Sequence, residues 1–542
     1  NGTIADNGVG KMSDFNKTTL QQIKKLGANT IWYTGIIRHA TCTDYSAFGI
    51  PRQTPRVVKG KAGSPYAITD YYDVDPDIAD NVTKRMNEFE DLVKRTHNES
   101  LKVIIDFVPN HVAREYKSIC KPIGVKDLGE TDDKNKHFDA NNNFYYCPNE
   151  SLDTSAIPRS INNEATKPDY KSAEYTETVA RCTGNDRFDA HPQANDWYET
   201  IKLNYGIDYC DWGGRSNHFN PIPDTWHKMT DILLFWAAKG IDGFRCDMAE
   251  MVPHEFWKYA TEKVKAQYPH IVFIGEVYDP NQYRTYIAAG FDYLYDKVGM
   301  YDCLRDIMCE HRSANDITRQ WQATDDIGKH VLYFLENHDE QRIASNFFCG
   351  NMQKGIPAFI VAALFQCNPI MIYAGQEFGE KGMDGEGFSG IDGRSTIFDY
   401  WSIDAIRKGF FERSKLSAEQ VQLEKEYRKI LTLCNSEKAI SNGKTFDLMY
   451  ANETNDAFDS NKQFAFLRSS NNTTLLIVAN FSKTEAHIRV NIPAHAFDYM
   501  EIKEGKKDMV DLLSGNHQSV VLQKDSSIEI VVPALNGRVY KF

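Results

Sequence analysis

The sequence predicts a (β/α)8 TIM barrel with an inserted subdomain after the third strand and a C-terminal antiparallel β-sandwich domain. Three observations predict this fold. Apolar runs of strand length alternate with amphipathic helical segments over most of the chain. Four of these runs end in acidic residues, as expected where parallel strands end at one shared face. Beyond about residue 436, short β-rich runs separated by turn residues replace the helical segments.

Length and charge limit the possible partners. At 542 residues the chain is too long for one compact core, so we expect two or three domains. The net charge of -13 argues against nucleic acid or anionic membranes as partners and suits a neutral ligand. No apolar run approaches the ~20 residues of a membrane span, so we expect no transmembrane segment. We also expect a monomer.

The first part of the barrel is predicted over residues 1–111. A helical segment ends at Gly27, a residue type that commonly terminates helices, and a buried strand follows at 28–34. Residues 80–97 have the pattern of an amphipathic helix with Asp80 as its N-cap. The strand at 101–108 follows this helix, so only one convincing strand precedes it.

The alternation of strands and helices stops from residue 112 to residue 200. This segment is polar, and parts of it are rich in asparagine. So long an irregular segment within a compact domain is normally functional rather than a simple connection. We therefore predict an inserted domain over these residues.

The barrel pattern returns over residues 201–435, and a β-rich domain is predicted over residues 436–542. Ser417 and Gln420 have the pattern of a capping box at the start of the last barrel helix. The predicted helices of this part are 226–239, 253–267, 301–322, 356–367 and 417–433. The predicted strands are 241–247, 271–275, 291–295, 331–335 and 369–374.

A charged pair closes the predicted strand at 241–247. Alternate side chains of a strand share one face, so Arg245 and Asp247 point the same way. Such a pair at the end of a buried strand costs free energy unless it has a partner or a function. Three other strands end in a similar way, near Asp106, Glu276 and Asp339. Four such strand ends favour a catalytic site over an isolated structural ion pair.

The four strand ends carry motifs that occur together in one protein family. They read DFVPNH at 106–111, GFRCDMAE at 243–250, GEV at 275–277 and FLENHD at 334–339. In this order and at these separations they resemble the motifs of the α-amylase superfamily of glycoside hydrolases. The resemblance covers nearly the whole chain, although the stretch between the first two motifs matches poorly. It implies that the inserted domain forms one wall of a substrate cleft.

The resemblance implies a retaining glycoside hydrolase that cleaves α-glucosidic bonds, mainly α-1,4, in starch-like glucans or malto-oligosaccharides through a covalent glycosyl-enzyme. A glucanotransferase on the same scaffold is one alternative, because the acids do not distinguish a sugar acceptor from water. A non-catalytic α-glucan-binding relative is another, and the three acids Asp247, Glu276 and Asp339 together argue against it. Many amylases have Lys-His where this sequence has Glu250-Met251, a departure on the acceptor side.

The catalytic roles are predicted from chemistry and from the resemblance. Glycosidic bond cleavage needs two carboxyl groups in different protonation states. Arg245 lies beside Asp247, and a nearby cation lowers a carboxyl pKa, so we expect Asp247 to stay ionised. Glu276 ends an apolar run, and burial raises a carboxyl pKa, as a general acid requires. By resemblance, Asp247 is the nucleophile, Glu276 is the acid and base, and Asp339 binds sugar hydroxyls and distorts the ring.

Other motif residues are assigned by resemblance to substrate binding or to support. His111 and His338 match two histidines that bond sugar hydroxyls. Tyr66 matches a stacking tyrosine, although Tyr71 and Tyr72 stand close enough to keep that choice open. The predicted substrate-binding residues are Tyr66, His111, Arg245 and His338. Two further acids of the motifs are predicted to be structural, namely Asp106 and Glu336.

The chemistry requires no cofactor, but many α-amylases hold a structural Ca2+ between the barrel and the inserted domain. Asn110 matches one ligand of that site. Another ligand is usually an aspartate, and Lys202 stands in its place here. An ammonium cannot coordinate a cation that binds oxygen ligands, so we expect no Ca2+ there and a positive charge supplied by Lys202. A Ca2+ bound elsewhere, for instance by the Asp-rich loops, stays an alternative.

The family's third barrel strand corresponds to the strand that carries Asp106, yet only one strand is predicted before it. Residues 1–13 contain only a short strand-like fragment at 3–5. A barrel lacking one strand would expose two unpaired edges. We therefore expect a further strand upstream of Asn1 in the intact protein.

The 11 cysteines leave the cellular compartment open. Cys120, Cys147, Cys182 and Cys210 could form disulfides in an exported protein, and free thiols are an equal alternative. No signal peptide opens the sequence at Asn1, and a processed N-terminus would look the same. We favour a periplasmic, cell-surface or secreted location over the cytoplasm.

Overall fold

The computed structural model describes residues 2–158, 174–383 and 391–542. Its barrel sheet has seven strands that neighbour one another in chain order, and every pair is parallel. They are β1 (Thr30–Tyr33), β2 (Lys102–Phe107), β3 (Gly243–Cys246), β4 (Val272–Gly275), β5 (Tyr293–Tyr295), β6 (Val331–Phe334) and β7 (Ile370–Met371). This arrangement confirms the predicted barrel architecture.

Helices occupy the connections between these strands. Helix Asp224–Ala237 shows why they form, because Trp226, Met229, Leu233 and Trp236 recur every three or four residues and are all buried. Among the described residues, no helix has both the length and the apolar character to cross a membrane. The main helices are Lys17–Leu26, Arg85–Asn98, Asp224–Ala237, His254–Gln267, Tyr283–Ala288, Asp302–Met308, Asp316–Gln322, Gly355–Leu364, Asp404–Phe410 and Ala418–Ser436.

Helix Gly355–Leu364 is buried along its whole length. A helix that is apolar on all sides needs partners on all sides. The C-terminal domain supplies some of them, since Arg468 donates a hydrogen bond to the carbonyl of Leu364 at 2.6 Å. This helix therefore joins the core of the barrel to the core of the C-terminal domain.

Two predicted helices differ from the structure. The helix predicted at 80–97 begins at Arg85, and Asp80 is not its N-cap. The carboxylate of Glu88 accepts the backbone N–H groups of Asp80 and Asn81 instead, which holds these residues outside the helix. The pattern at 301–322 is two helices, because Glu310 adopts a left-handed backbone conformation between them, with φ of 63°. The predicted capping box of Ser417 and Gln420 is present.

The strands at the two edges of the barrel sheet are β1 and β7. They are not paired with each other in the part of the chain that the structure describes. The strand predicted at 369–374 is shorter than expected, since only Ile370–Met371 pairs with β6. The further strand expected upstream of Asn1 stays a prediction.

The segment after the first motif begins and ends on one antiparallel ribbon. Strand His111–Ala113 pairs with Thr200–Lys202, and His111 lies opposite Lys202. Residues 159–173 of this segment lie outside the described residues. The domain limits 112–200 stay a prediction, but the ribbon places a motif residue beside the lysine that replaces the expected acid.

Two of the four cysteines considered for disulfides face each other in this segment. The sulfur atoms of Cys147 and Cys182 are buried and lie 3.9 Å apart. Cys120 and Cys210 are exposed. All cysteines in the described residues are free thiols.

The C-terminal domain is antiparallel throughout, as predicted. A six-stranded sheet has the order β8-β9-β10-β15-β12-β13, and β11 pairs with β14. The strands are β8 (Lys444–Asp447), β9 (Gln463–Ser470), β10 (Thr473–Asn480), β11 (Ala486–Ile492), β12 (Gly505–Asp511), β13 (His517–Leu522), β14 (Ser526–Val532) and β15 (Asn536–Lys541).

Candidate active site

Parallel pairing aligns the ends of three neighbouring barrel strands. Asp106 of β2 lies opposite Arg245 of β3. The backbone N–H of Asp247 donates to the last carbonyl of β2 at 2.9 Å, and that of Glu276 donates to the last carbonyl of β3 at 3.1 Å. Asp247 and Glu276 therefore follow directly on paired strands. The register brings their side chains to the same end of the sheet as those of Asp106 and Arg245.

Arg245 is the centre of this cluster and is only 1% exposed. One terminal nitrogen donates to Asp247 at 2.9 Å and to Asp106 at 3.3 Å. The other donates to Glu276 at 2.8 Å. A guanidinium is planar and keeps its charge, so it fixes the positions of the three carboxyl groups relative to one another. Asp106 thus supports the arginine.

Three aromatic rings surround the guanidinium. The centroids of Trp32, Tyr66 and Tyr295 lie 5.0, 5.4 and 5.5 Å from its central carbon. Trp32 also donates to Asp106 at 2.8 Å, and Arg245 donates to the hydroxyl of Tyr295 at 3.1 Å. Sequence reasoning missed Trp32 and Tyr295. Both lie on predicted barrel strands, which is the signal that points to them in hindsight.

Glu276 accepts two hydrogen bonds besides that of Arg245. The backbone N–H of Met248 donates to Oε2 at 2.9 Å, and the Tyr278 hydroxyl donates to Oε1 at 2.6 Å. Met248 has a φ of 43°, a left-handed conformation that costs free energy in a residue other than glycine. That conformation directs its N–H at the acid. Sequence reasoning did not find Tyr278.

His338 and Asp339 extend the site from the end of β6. Their side chains contact each other at 3.1 Å, and the ring of His338 stacks on Tyr66 with centroids 5.1 Å apart. Proximity to His338 lowers the pKa of Asp339 to about 2, even though burial opposes this shift. The Asp339 side chain is 43% exposed, so this carboxylate faces the open part of the site. Glu336 is buried against Arg342 at 2.9 Å, as a structural residue would be.

A cavity of about 290 Å3 opens beside Asp339. Arg394, on its rim, donates to the backbone carbonyl of Asp339 at 2.6 Å. The cavity gives a ligand access to the exposed carboxylate. Its lining in the described residues comprises His338, Asp339, Met383, Asp392, Arg394, Ser395, Thr396, Ile397 and Phe398.

The expected lowering of the Asp247 pKa by Arg245 is outweighed in this site. Burial and the neighbouring Glu276 raise the pKa of Asp247 well above its ordinary value, and Arg245 lowers it only in part. The reason is that the same guanidinium also bonds Glu276 and Asp106, so one cation serves three carboxyl groups. Like charges this close oppose one another's ionisation.

His111 and Tyr66 lie on the side of the site next to the inserted segment. The ring of His111 bonds the backbone of Tyr66 and lies 5.3 Å from the ring of Trp197. Burial, and then the charge of Lys202, lower the pKa of His111 to about 3, which keeps it neutral. Tyr71 is fully buried and donates to the backbone carbonyls of residues 108 and 111. Tyr72 packs on Phe235, and of the three tyrosines it is Tyr66 whose ring contacts Arg245 and His338.

Lys202 is the second buried cation near the site and is 2% exposed. Its ammonium contacts the side-chain oxygens of Asn110 and Asp186, the latter at 2.6 Å. It also donates to the backbone carbonyl of Met251 at 3.3 Å. The ammonium of Lys202 therefore lies among three oxygens. The residues at this position therefore do not fit a divalent metal ion.

One other group of side chains has metal-type spacing within the described residues, namely Asp70, Asp73 and Cys120. Its carboxylates are already paired, since Arg38 contacts both aspartates at 3.2 and 3.0 Å. Arg85 contacts Asp73 at 2.7 Å as well. This arrangement stabilises the loop by ion pairs and does not suit a metal ion.

Comparison with known families matches two consecutive domains. Residues 7–177 and 220–449 match the catalytic domain of the alpha amylases. Residues 455–542 match the alpha amylase C-terminal all-beta domain.

Individual relatives are distant but extend over most of the chain. Alpha-amylase 3 of Dictyoglomus thermophilum is 22% identical over 487 residues, which cover 84% of this chain and 82% of that protein. A cyclomaltodextrinase of Geobacillus thermopakistaniensis is 22% identical, with coverage of 89% of this chain and 66% of the relative.

Solved structures share the fold. A maltogenic alpha-amylase from Thermotoga neapolitana has a TM-score of 0.61 at 20% identity, covering 97% of this chain and 93% of the other. An alpha-amylase from Geobacillus thermoleovorans, complexed with acarbose, has a TM-score of 0.61 at 18% identity, covering 98% and 92%. With both domains matched in order, the chain belongs to the alpha-amylase family of glycoside hydrolases and transferases.

Proposed function

We propose that the protein is a retaining glycoside hydrolase that cleaves mainly α-1,4-glucosidic bonds in starch-like glucans or malto-oligosaccharides. One observation carries this proposal. A single guanidinium, that of Arg245, holds Asp247 and Glu276 at 2.9 and 2.8 Å from its two terminal nitrogens. Retaining hydrolysis needs two carboxyl groups held beside the scissile bond, one as nucleophile and one as acid.

In the first step, the Asp247 carboxylate attacks the anomeric carbon while Glu276 gives its proton to the leaving oxygen. The glycosidic bond breaks, and an ester bond to Asp247 forms. In the second step, Glu276 removes a proton from water, and the resulting hydroxide equivalent displaces Asp247. The enzyme is regenerated with one proton on Glu276.

Four other groups act on the sugar in the cleaved subsite. Asp339 is exposed and ionised, so it can accept hydrogen bonds from sugar hydroxyls. His338 stacks on Tyr66, and His111 bonds the backbone of Tyr66, so these three side chains are proposed to bind the same sugar. Such groups raise the rate when their contacts strengthen in the distorted, transition-state-like ring.

Glu276 is held in place by three hydrogen bonds, from Arg245, the backbone of Met248 and the hydroxyl of Tyr278. A substrate that places its glycosidic oxygen against Glu276 supplies an acceptor for its proton.

Chromatography of the products from amylose, maltotriose, pullulan and isomaltose tests this function. We expect cleavage of the substrates with α-1,4 bonds and no cleavage of isomaltose. NMR of the first product should show the α anomer, because two displacements restore the configuration. If the protein cleaved none of the four substrates, the proposal would be contradicted. Products longer than the substrate at high oligosaccharide concentration would instead identify a glucanotransferase.

A further inference from the structure

The second carboxylate oxygen of Glu276 has one protein partner among the described residues, the hydroxyl of Tyr278. This bond is 2.6 Å long, whereas Arg245 and Met248 both bond the other oxygen. Glu276 is only 2% exposed, so the hydrogen bonds from these groups determine how its carboxyl plane is oriented. Tyr278 is therefore placed to hold the oxygen that the other two donors leave free.

The loop that carries Tyr278 is itself anchored. The backbone N–H of Asp279 donates to the side chain of Glu250 at 3.0 Å. The hydroxyl of Tyr286 donates to the backbone carbonyl of Glu250 at 3.0 Å. Val277, on the other side of Tyr278, is fully buried. The hydroxyl of Tyr278 is thus fixed relative to the segment that follows Asp247.

We propose that Tyr278 is a positioning residue for Glu276, which orients its carboxyl group in both of its protonation states. A tyrosine hydroxyl donates more strongly to a carboxylate than to a carboxylic acid, so the bond favours the ionised form while it keeps the carboxyl plane in place. This inference rests on the proposed function. Glu276 gives its proton to the leaving oxygen and takes one from water, whereas Tyr278 keeps its own proton throughout.

The electrostatic surroundings support proton transfer by Glu276 and positioning by a neutral Tyr278. Burial, together with the charges of Glu276 and Asp339, raises the pKa of Tyr278, so its hydroxyl stays neutral. When the leaving group takes the proton, negative charge develops on Glu276, and a hydrogen bond to that charge strengthens in the transition state. Among the described residues, the charged and titratable groups that face Glu276 include Arg245, Asp247, Tyr278 and Tyr295.

The test compares the variant Tyr278→Phe with the wild-type enzyme on a soluble malto-oligosaccharide over a range of pH. The hydrogen bond from Tyr278 favours the carboxylate form of Glu276. Because the variant removes this bond, the acid form persists to higher pH, and we expect the alkaline limb of kcat/KM to move up by about one unit. We expect kcat at the optimum to fall about tenfold, because the bond also stabilises the transition state. KM should change less than twofold.

Tyr283→Phe is the matched control. The hydroxyl of Tyr283 also bonds a buried carboxylate, that of Asp296 at 3.1 Å, but outside the reacting groups. We expect this control to keep the wild-type pH profile, even if its unfolding temperature falls. An unchanged alkaline limb in Tyr278→Phe, with an active wild type, would overturn the inference alone. An inactive wild type would instead contradict the proposed function.

Discussion

Arg245 and Lys202 are two buried cations on neighbouring parts of one site, and their surroundings differ. Arg245 contacts three carboxyl groups, so its single positive charge leaves negative charge uncompensated. Lys202 contacts one carboxylate and two neutral oxygens, so its charge is balanced by Asp186. The excess of acids around Arg245 opposes full ionisation of the cluster, and acid–base chemistry uses carboxyl groups in such surroundings.

The comparison separates a reactive cluster from a structural one. Burying charge is costly in both places unless every charged group is paired. Around Arg245 the cost is offset only in part, which raises the pKa of Asp247. Around Lys202 one carboxylate matches one ammonium, although burial still lowers the pKa of the lysine. The expected consequence of removing the lysine is lost stability rather than lost chemistry. The predictions below test this separation.

The largest effect is expected from the acids around Arg245. Asp247→Asn and Glu276→Gln should each lower kcat by several orders of magnitude, because the first removes the nucleophile and the second the acid. Asp339→Asn should be comparably damaging. The measurement is kcat on maltotriose or amylose, with the unfolding temperature as a check on folding.

Asp498→Asn is the control for these variants, since it breaks a surface ion pair with Lys524 in the C-terminal domain. Its turnover should equal that of the wild type. Near-normal turnover by Asp247→Asn would refute the proposed mechanism.

The second effect concerns stability at Lys202. Lys202→Met should lower the free energy of unfolding by about 2 to 3 kcal/mol, toward the low end for breaking a buried pair, because Asp186 remains 40% exposed. Denaturant unfolding measures it. Lys524→Met is the matched control, because its ion pair is also 2.6 Å long but exposed, and it should leave the free energy of unfolding nearly unchanged. An equal loss of unfolding free energy in Lys202→Met and Lys524→Met would contradict the prediction that the buried pair stabilises the protein more than the exposed one.

The third prediction concerns calcium. EDTA should leave the unfolding temperature of the wild type unchanged, since the ammonium of Lys202 occupies the position among the oxygens of Asn110, Asp186 and Met251. Lys202→Asp should make that temperature rise with added Ca2+, because an added carboxylate completes a set of oxygen ligands. A large loss with EDTA in the wild type would count against this account.

The last prediction concerns a pH dependence from His111. Its folded pKa of about 3 lies below the unfolded value of 6.5, so the unfolded state binds one more proton between these values. This contribution to stability is fully present above pH 6.5 and is lost as the pH falls toward 3, by about 1.4 kcal/mol per unit. The difference in unfolding free energy between wild type and His111→Gln should shrink across this window. A constant difference would contradict the prediction.

Much of the site could be predicted because its residues stand at strand ends. Alternation along β3 places Arg245 and Asp247 on one face, and parallel pairing then brings Glu276 beside them. The remaining contacts are not local. Asp186, the partner of Lys202, lies in an irregular polar segment where no periodicity indicates its direction.

The errors have physical causes of the same kind. The pKa of Asp247 was predicted to be low from its neighbour in sequence, whereas burial and Glu276, a residue on another strand, raise it. Asp80 fits an N-cap by residue type, but the side chain of Glu88 binds its backbone instead. In each case a distant partner or burial overrides the local preference.

The most direct test of the central claim is to trap the covalent intermediate. A maltosyl fluoride that carries fluorine on the ring slows the second step, and Glu276→Gln slows it further by removing the base. Mass spectrometry of the labelled protein, followed by peptide mapping, locates the attached sugar. The account predicts one glycosyl unit esterified to Asp247. Attachment to Glu276 or Asp339, or no attachment in an enzyme that cleaves maltotriose, would contradict it.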